Sequence, residues 1–362
     1  MNLPDLYRQA FDLQFLSVDE GLYLYRHAPL AELMQTGAIL RQKHVPGNTA
    51  SWQIDRNVNY TNVCISHCRF CNFCRSRSSV DAYITADEEY DEKIRELFAI
   101  GGNQILLQGG MHPDLGLSFY TRLFQNLKKR YPALKLHALG PPEIHHISVK
   151  EGLSYRAALQ ALVDAGLDSL PGAGAEILSD RVRKIVSPAK CNTRQWLDVM
   201  REAHAMNLPT SATMMFAHVE TERERIEHLV HIRDLQAQKP ESAYGFTAFI
   251  PWIFQSKGTA LERKKMIRHR VSTQDYLRMI AISRVMLPNI THIQASWLTV
   301  GVPAGMLALY AGADDLGSIM IEENVVSAAG ASHKMDVTGM QEAIRKAGFT
   351  PVLRNQKYEY LS

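Results

Sequence analysis

Gln53-Ile-Asp-Arg-Asn-Val-Asn-Tyr60 runs straight into Thr61-Asn-Val-Cys64-Ile-Ser-His-Cys68-Arg-Phe-Cys71-Asn-Phe-Cys74. The first eight residues read as a strand, so the cysteines fall in the loop at its C-terminal end. The spacing Cys64-x3-Cys68-x2-Cys71 can wrap one face of an iron–sulfur cluster while leaving one iron without a protein ligand, open to substrate. Arg69, Arg75 and Arg77 add positive charge beside the thiolates, which favours a reduced cluster.

Other uses of cysteine remain open at this point. A structural zinc site takes four ligands in paired C-x2-C units; Cys74 would supply the fourth, with His67 in reserve. An electron-transfer ferredoxin also uses four cysteines, but in its bacterial pattern the three-residue gap comes last, whereas here it comes first. Disulfides fit worst: the five cysteines are an odd number, and four of them crowd into one short loop. Cys191 stands alone and reads as a buried thiol.

Working outward from Gln53 to Tyr60, strand-like runs recur at Asn103 to Gln108, Leu134 to Leu139, Asp168 to Pro171, Thr210 to Met215, Gly245 to Pro251, His292 to Trp297 and Leu316 to Met320. Amphipathic helical stretches lie between them at Asp87 to Ile100, Phe119 to Lys129, Tyr155 to Ala165, Thr193 to Met206, Thr221 to Gln236 and Thr273 to Met286. Thr193, Thr221 and Thr273 read as N-caps, and Gly101, Gly166 and Asn207 as stop signals. Alternation of this kind implies parallel strands with crossover helices, and eight repeats imply an α/β fold closed as a TIM-type (β/α)8 barrel. The expected organisation is an N-terminal helical cap over 1–50, the barrel over 51–325 and a C-terminal extension over 326–362 packed on it. The two end segments are expected to close the barrel mouth.

Composition narrows the function classes. With 46% hydrophobic and 21% charged residues the chain is an ordinary globular protein. The net charge of +3 comes from scattered Lys and Arg balanced by 37 acids, so nucleic-acid binding is not expected. No apolar run reaches the ~20 residues of a membrane span. Met1 to Phe15 carries Asp5 and Asp12 and lacks the pattern of a secretory signal, so a cytoplasmic, reducing location is expected.

A barrel places its chemistry on the loops after the strand C-termini. Gly109 and Gly110 follow the second strand, where bare backbone can approach a small ligand. Glu143 and Glu176 follow the third and fourth, as candidates for ribose hydroxyls or an amino-acid group. His112, His218 and Glu220 are candidate proton acceptors or carboxylate partners. Trp252, Phe254 and Gln255 follow the sixth strand, where an aromatic substrate ring can be held. Gly172-Ala-Gly174 lacks the third glycine and the downstream acid of a dinucleotide fingerprint.

With these residues assembled, the chain resembles the radical S-adenosylmethionine enzymes, whose C-x3-C-x2-C signature with an aromatic before the last cysteine is matched by Cys64, Cys68, Phe70 and Cys71. Leu107-Gln-Gly-Gly-Met-His-Pro-Asp-Leu115, Ala212-Thr-Met-Met-Phe216, His218-Val-Glu-Thr221, Phe249-Ile-Pro-Trp252 and Ile321-Glu-Glu-Asn-Val325 extend the likeness to the cyclic dehypoxanthinyl futalosine synthases of menaquinone biosynthesis. Aminofutalosine synthases and deazaflavin-forming synthases are near relatives of that group. The resemblance implies a 4Fe-4S cluster on the three cysteines and S-adenosylmethionine on its open iron. It further implies Phe70 near the adenine, Gly109 and Gly110 near the methionyl amine, and Glu176 near the ribose. The implied reaction is hydrogen abstraction at ribose C4′ of dehypoxanthinyl futalosine and closure onto its benzoate ring, with flavodoxin or ferredoxin as reductant. Cys74 departs from the pattern and leaves a competing fourth ligand open.

Overall fold

The computed structural model describes residues 2–268, 271–322, 324, 328, 330 and 333–361. Its centre is a ring of parallel strands. β1 (Thr49–Gln53) and β2 (Asp55–Asn59) form one continuous staff. Around it come β3 (Gln104–Gln108), β4 (Lys135–Ala138), β5 (Thr210–Phe216), β6 (Phe246–Ile253), β7 (His292–Ile293), β8 (Asp315–Ser318) and, last in the chain, β9 (Thr350–Leu353). β2 pairs with β3 and β3 with β4; Ser169 and Leu170 bridge β4 to β5; β5 pairs with β6 and β6 with β7. Gln294 bridges to Asp315, and β8 returns to β1, so the ring closes on eight strand positions. The expected fourth strand is thus reduced to two bridging residues, enough to carry the chain across the gap.

The strands hold together because both faces are covered, as parallel sheets require. Gln-Ile-Leu-Leu-Gln of β3 and Thr-Ser-Ala-Thr-Met-Met-Phe of β5 are almost wholly buried. The outer helices bury one stripe each: Tyr90, Ile94 and Leu97 on Asp87–Ala99, and Trp196, Val199, Met200 and Ala203 on Thr193–Ala205. Thr221 caps its helix as expected. At the other two helices the cap is one residue earlier: Asn192 accepts from Gln195 N, and Ser272 from Asp275 N, because those side chains reach the third helical N–H.

The N-terminal helices Leu3–Phe11, Val18–His27 and Leu30–His44 pack on the outside of the barrel, chiefly on Thr273–Met286 and Glu222–Ala237. Gly37 permits this: a Cβ there would fall 2.2 Å from Ala311 O. Residues 350–361 run to the floor of the barrel rather than to its mouth. β9 adds to β1, pairing Thr49 with Thr350 through Trp52 with Leu353, and delivers Arg354 to the opposite end. There Arg354 Nε lies 2.5 Å from Asp315 Oδ2, its guanidinium stands over the Tyr358 ring, and Tyr358 stacks on His292, so the end of the chain seals the floor. At the mouth, Asn72 Nδ2 donates to Ala328 O at 3.1 Å. Glu323, Val325 and the expected 325/326 boundary lie outside the described residues. Among the described residues no helix is long and apolar enough to cross a membrane.

Candidate active site at the barrel mouth

Backbone hydrogen bonds to neighbouring segments fix the cysteine loop. Arg75 N donates to Asn62 O and Cys64 N to Arg75 O, closing the loop on itself. Ile65 N donates to Met111 O, Arg69 N to Val186 O and Leu261 N to Arg69 O, tying it to three adjoining stretches. Gly110 has no room for a side chain, since a Cβ would fall 2.0 Å from Val63 O. Its backbone therefore lies flat against the cysteine loop.

Cys64, Cys68, Cys71 and Cys74 all line one cavity of about 140 Å³, together with Phe70, Gly109, Gly110, Glu143 and Lys190. Cys64 Sγ receives the N–H groups of Met111 at 3.3 Å and Ser66 at 3.5 Å. The Cys74 thiol, working against burial, and then the Ser66 hydroxyl and these N–H groups bring the Cys64 thiol down to about 5. Burial pushes Cys68 up to about 12 and raises Cys71 as well. Cys74 Sγ points back to donate to Cys64 O at 3.3 Å.

This cavity suits a cluster better than a single ion. Among the described residues no three His, Cys, Asp or Glu side chains converge tightly enough to grip one metal ion. The three signature thiols instead stand around a space, beside a buried carboxylate oxygen, Glu143 Oε2, that has no hydrogen-bond partner among the described residues. Burial pushes the Glu143 carboxyl up to about 7, as expected for a group awaiting a ligand donor. Cys64, Cys68 and Cys71 are the residues that would hold the cluster.

A second cavity of about 290 Å³ runs down the barrel axis and shares Phe70, Gln108, Ala173, Gly174 and Lys190 with the first. Its walls include Asn57, His137, Glu176, Thr213 and Trp252, and Gln356 from the C-terminal segment reaches it from below. At the junction Lys190 Nζ lies 2.9 Å from Glu176 Oε1 and 5.3 Å from the centre of the Phe70 ring. Burial opposes both charges of the pair. The negative groups around Lys190, Cys68 and Glu176 foremost, nonetheless carry it well above its usual range, while Lys190 and Arg183 hold Glu176 below the ordinary carboxylate value.

The structure thus brings Cys64, Cys68, Cys71, Phe70, Gly109, Gly110, Glu143, Glu176 and Trp252 to two joined cavities. It does not bring the others. His218 and Glu220 are wholly buried in a closed network: His218 Nδ1 lies 3.0 Å from Glu220 Oε2, and Arg225 Nη2 lies 2.6 Å from Glu220 Oε1. His112 Nδ1 accepts from Asp114 N at 3.1 Å, and Gln255 Nε2 donates to Ile253 O and Thr299 O. None of these four lines either cavity. Lys190 and His137 escaped the sequence reading. Lys190 sits in Ser187-Pro-Ala-Lys190, which carries no motif, and His137 lies within a strand rather than in the loop after it.

Comparison with known proteins agrees with this geometry. Residues 58–232 match the model of the Radical SAM superfamily, and residues 243–362 that of the CofH/MqnC C-terminal region. The chain is 42% identical to the cyclic dehypoxanthine futalosine synthase of Streptomyces coelicolor over 96% of this chain and 86% of that one. It is 38% identical to the enzyme of that name from Halalkalibacterium halodurans over 100% and 95%. It is also 37% identical to a 5-amino-6-(D-ribitylamino)uracil–L-tyrosine 4-hydroxyphenyl transferase of Methanosarcina barkeri over 98% and 93%. Methylornithine synthase (PylB) shares the fold with a TM-score of 0.71 at 18% identity, over 97% of this chain and 98% of that one. An open-faced cysteine trio at the mouth of a parallel barrel, in a chain this similar to such relatives, makes it a member of the radical SAM superfamily, an enzyme that works with a 4Fe-4S cluster and S-adenosylmethionine.

Proposed function

We propose that the enzyme converts dehypoxanthinyl futalosine to its cyclic form in menaquinone biosynthesis. The observation that carries this reading is the near-full-length likeness to the two cyclic dehypoxanthine futalosine synthases. When bound, the cluster and S-adenosylmethionine supply a 5′-deoxyadenosyl radical, which in this reading takes hydrogen from ribose C4′ so that this carbon closes onto the benzoate ring.

The chain's own residues do the rest. Cys64, Cys68 and Cys71 would hold the cluster, and Phe70, Gly109, Gly110 and Glu176 would bind S-adenosylmethionine, as the family resemblance implies. The axial cavity holds the substrate, with Trp252 as the aromatic wall for its ring. The floor formed by Arg354, Asp315 and Tyr358 keeps bulk water from below while radicals exist. Flavodoxin or ferredoxin supplies the electron.

A second reading, the 4-hydroxyphenyl transfer of the deazaflavin-forming relatives, is favoured by the 37% identity to the Methanosarcina protein. Anaerobic reconstitution followed by mass analysis decides between them. With dehypoxanthinyl futalosine, free 5′-deoxyadenosine and a product two hydrogens lighter than the substrate support the cyclase. Turnover only with tyrosine and the ribityl-diaminouracil selects the transferase.

A further inference from the structure

We propose that His137 is the proton acceptor of the ring-closing reaction. The assignment rests on the cyclase reading and supplies the base that His112, His218 and Glu220 do not.

Closure moves one hydrogen atom from ribose C4′ to the 5′-deoxyadenosyl carbon, joins C4′ to an aromatic carbon and leaves an unpaired electron in the ring. Aromaticity returns when the hydrogen on that ring carbon leaves as a proton and the electron passes to a one-electron acceptor of the iron–sulfur class. The proton needs a base on the wall of the substrate cavity. Four titratable side chains line that cavity: Asp55, His137, Glu176 and Lys190. Glu176 and Lys190 neutralise each other at 2.9 Å. Asp55 spends Oδ1 on the Ser318 hydroxyl and Oδ2 on Gln53 Nε2.

His137 differs from all three. Its Nδ1 lies 2.7 Å from Ser169 Oγ, a hydroxyl that can accept the proton when the ring carries it on Nδ1. Nε2 has no protein partner among the described residues, so its lone pair is the one left for the cavity. Burial, helped by the Arg354 charge, holds the imidazole neutral with a pKa of about 3. A weak base is sufficient here, because once its electron has left, the ring is a protonated arene, a far stronger acid than imidazolium.

The test compares wild-type enzyme with His137→Ala and the bulkier His137→Gln, each reconstituted with cluster and given S-adenosylmethionine, dehypoxanthinyl futalosine and a reductant. Both variants should still form 5′-deoxyadenosine, while cyclised product per 5′-deoxyadenosine falls by about 10²-fold. Added imidazole should restore product in His137→Ala and not in His137→Gln, whose side chain fills the space. Calorimetric titration of substrate into cluster-free protein should give affinities within about threefold of wild type. An unchanged product ratio, or a loss of product matched by an equal loss of affinity, overturns the assignment. Failure of the cyclase reading is a separate result, since the wild type then gives no cyclised product from this substrate.

Discussion

Lys190 and Glu176 form a buried ion pair, 2.9 Å from Nζ to Oε1, between the cysteine cavity and the axial cavity. Fourteen residues apart in sequence, they meet because the chain turns back after the helix Asp180–Val186. Removing one partner leaves the other charge buried and unpaired, which costs roughly 3–5 kcal/mol. Lys190→Met should therefore lower the urea midpoint of the apo protein far more than the double variant Lys190→Met/Glu176→Gln. A loss in the double variant equal to the sum of the two single losses would show that the pair is not coupled.

Cys68→Ala should abolish iron binding on reconstitution. Cys74→Ser should keep full iron content and the spectral shift on adding S-adenosylmethionine, since Cys74 Sγ is turned back to Cys64 O. Loss of iron in Cys74→Ser would make Cys74 a fourth ligand and close the open site.

Acid should unfold the protein through Glu220 and Glu224. Burial alone would raise both carboxyls. Against it, His218 and Arg225 hold Glu220 far below the usual carboxylate range, and Arg181 with the Thr221 N–H holds Glu224 down to about 2. Groups depressed on folding contribute stability that is complete above the unfolded value of ~4.3 and is lost as pH falls toward the folded values. The difference in urea midpoint between the wild type and Glu220→Gln should stay level from pH 8 to about 5 and shrink below that. Glu220→Gln should lower the midpoint at pH 7, because Arg225 loses its partner, and should flatten the acid limb.

The floor is the remaining weak point. Arg354→Met leaves Asp315 buried without its cation and removes the donor to Gln53 Oε1, at a cost of roughly 3–5 kcal/mol. Differential scanning calorimetry should show the loss with or without a reconstituted cluster, because the floor lies at the opposite end from the cysteines.

The strand and helix alternation was legible because periodicity is a local property. The helix Thr273–Met286 falls where the pattern puts it, and most strands shift by only a few residues. The helix Pro141–Glu151 was hidden behind Gly140-Pro141-Pro142, which reads as a turn, although Pro at the first helical positions is preorganised for a helix. Glu143 consequently sits in the first turn of a helix rather than in a loop.

By itself, the sequence determined the parallel barrel and pointed to the cysteine trio at its mouth as the candidate site, because cysteine spacing and hydrophobic period are read over a few residues. Only the tertiary structure decided which polar side chains face the cavity. His218 and Glu220 follow a strand as a catalytic pair would, yet they turn into a sealed network with Arg225. His137 and Lys190, which carry no motif, are brought to the axial cavity by packing. Burial and charge pairing depend on residues far apart in the chain, and no local pattern encodes them.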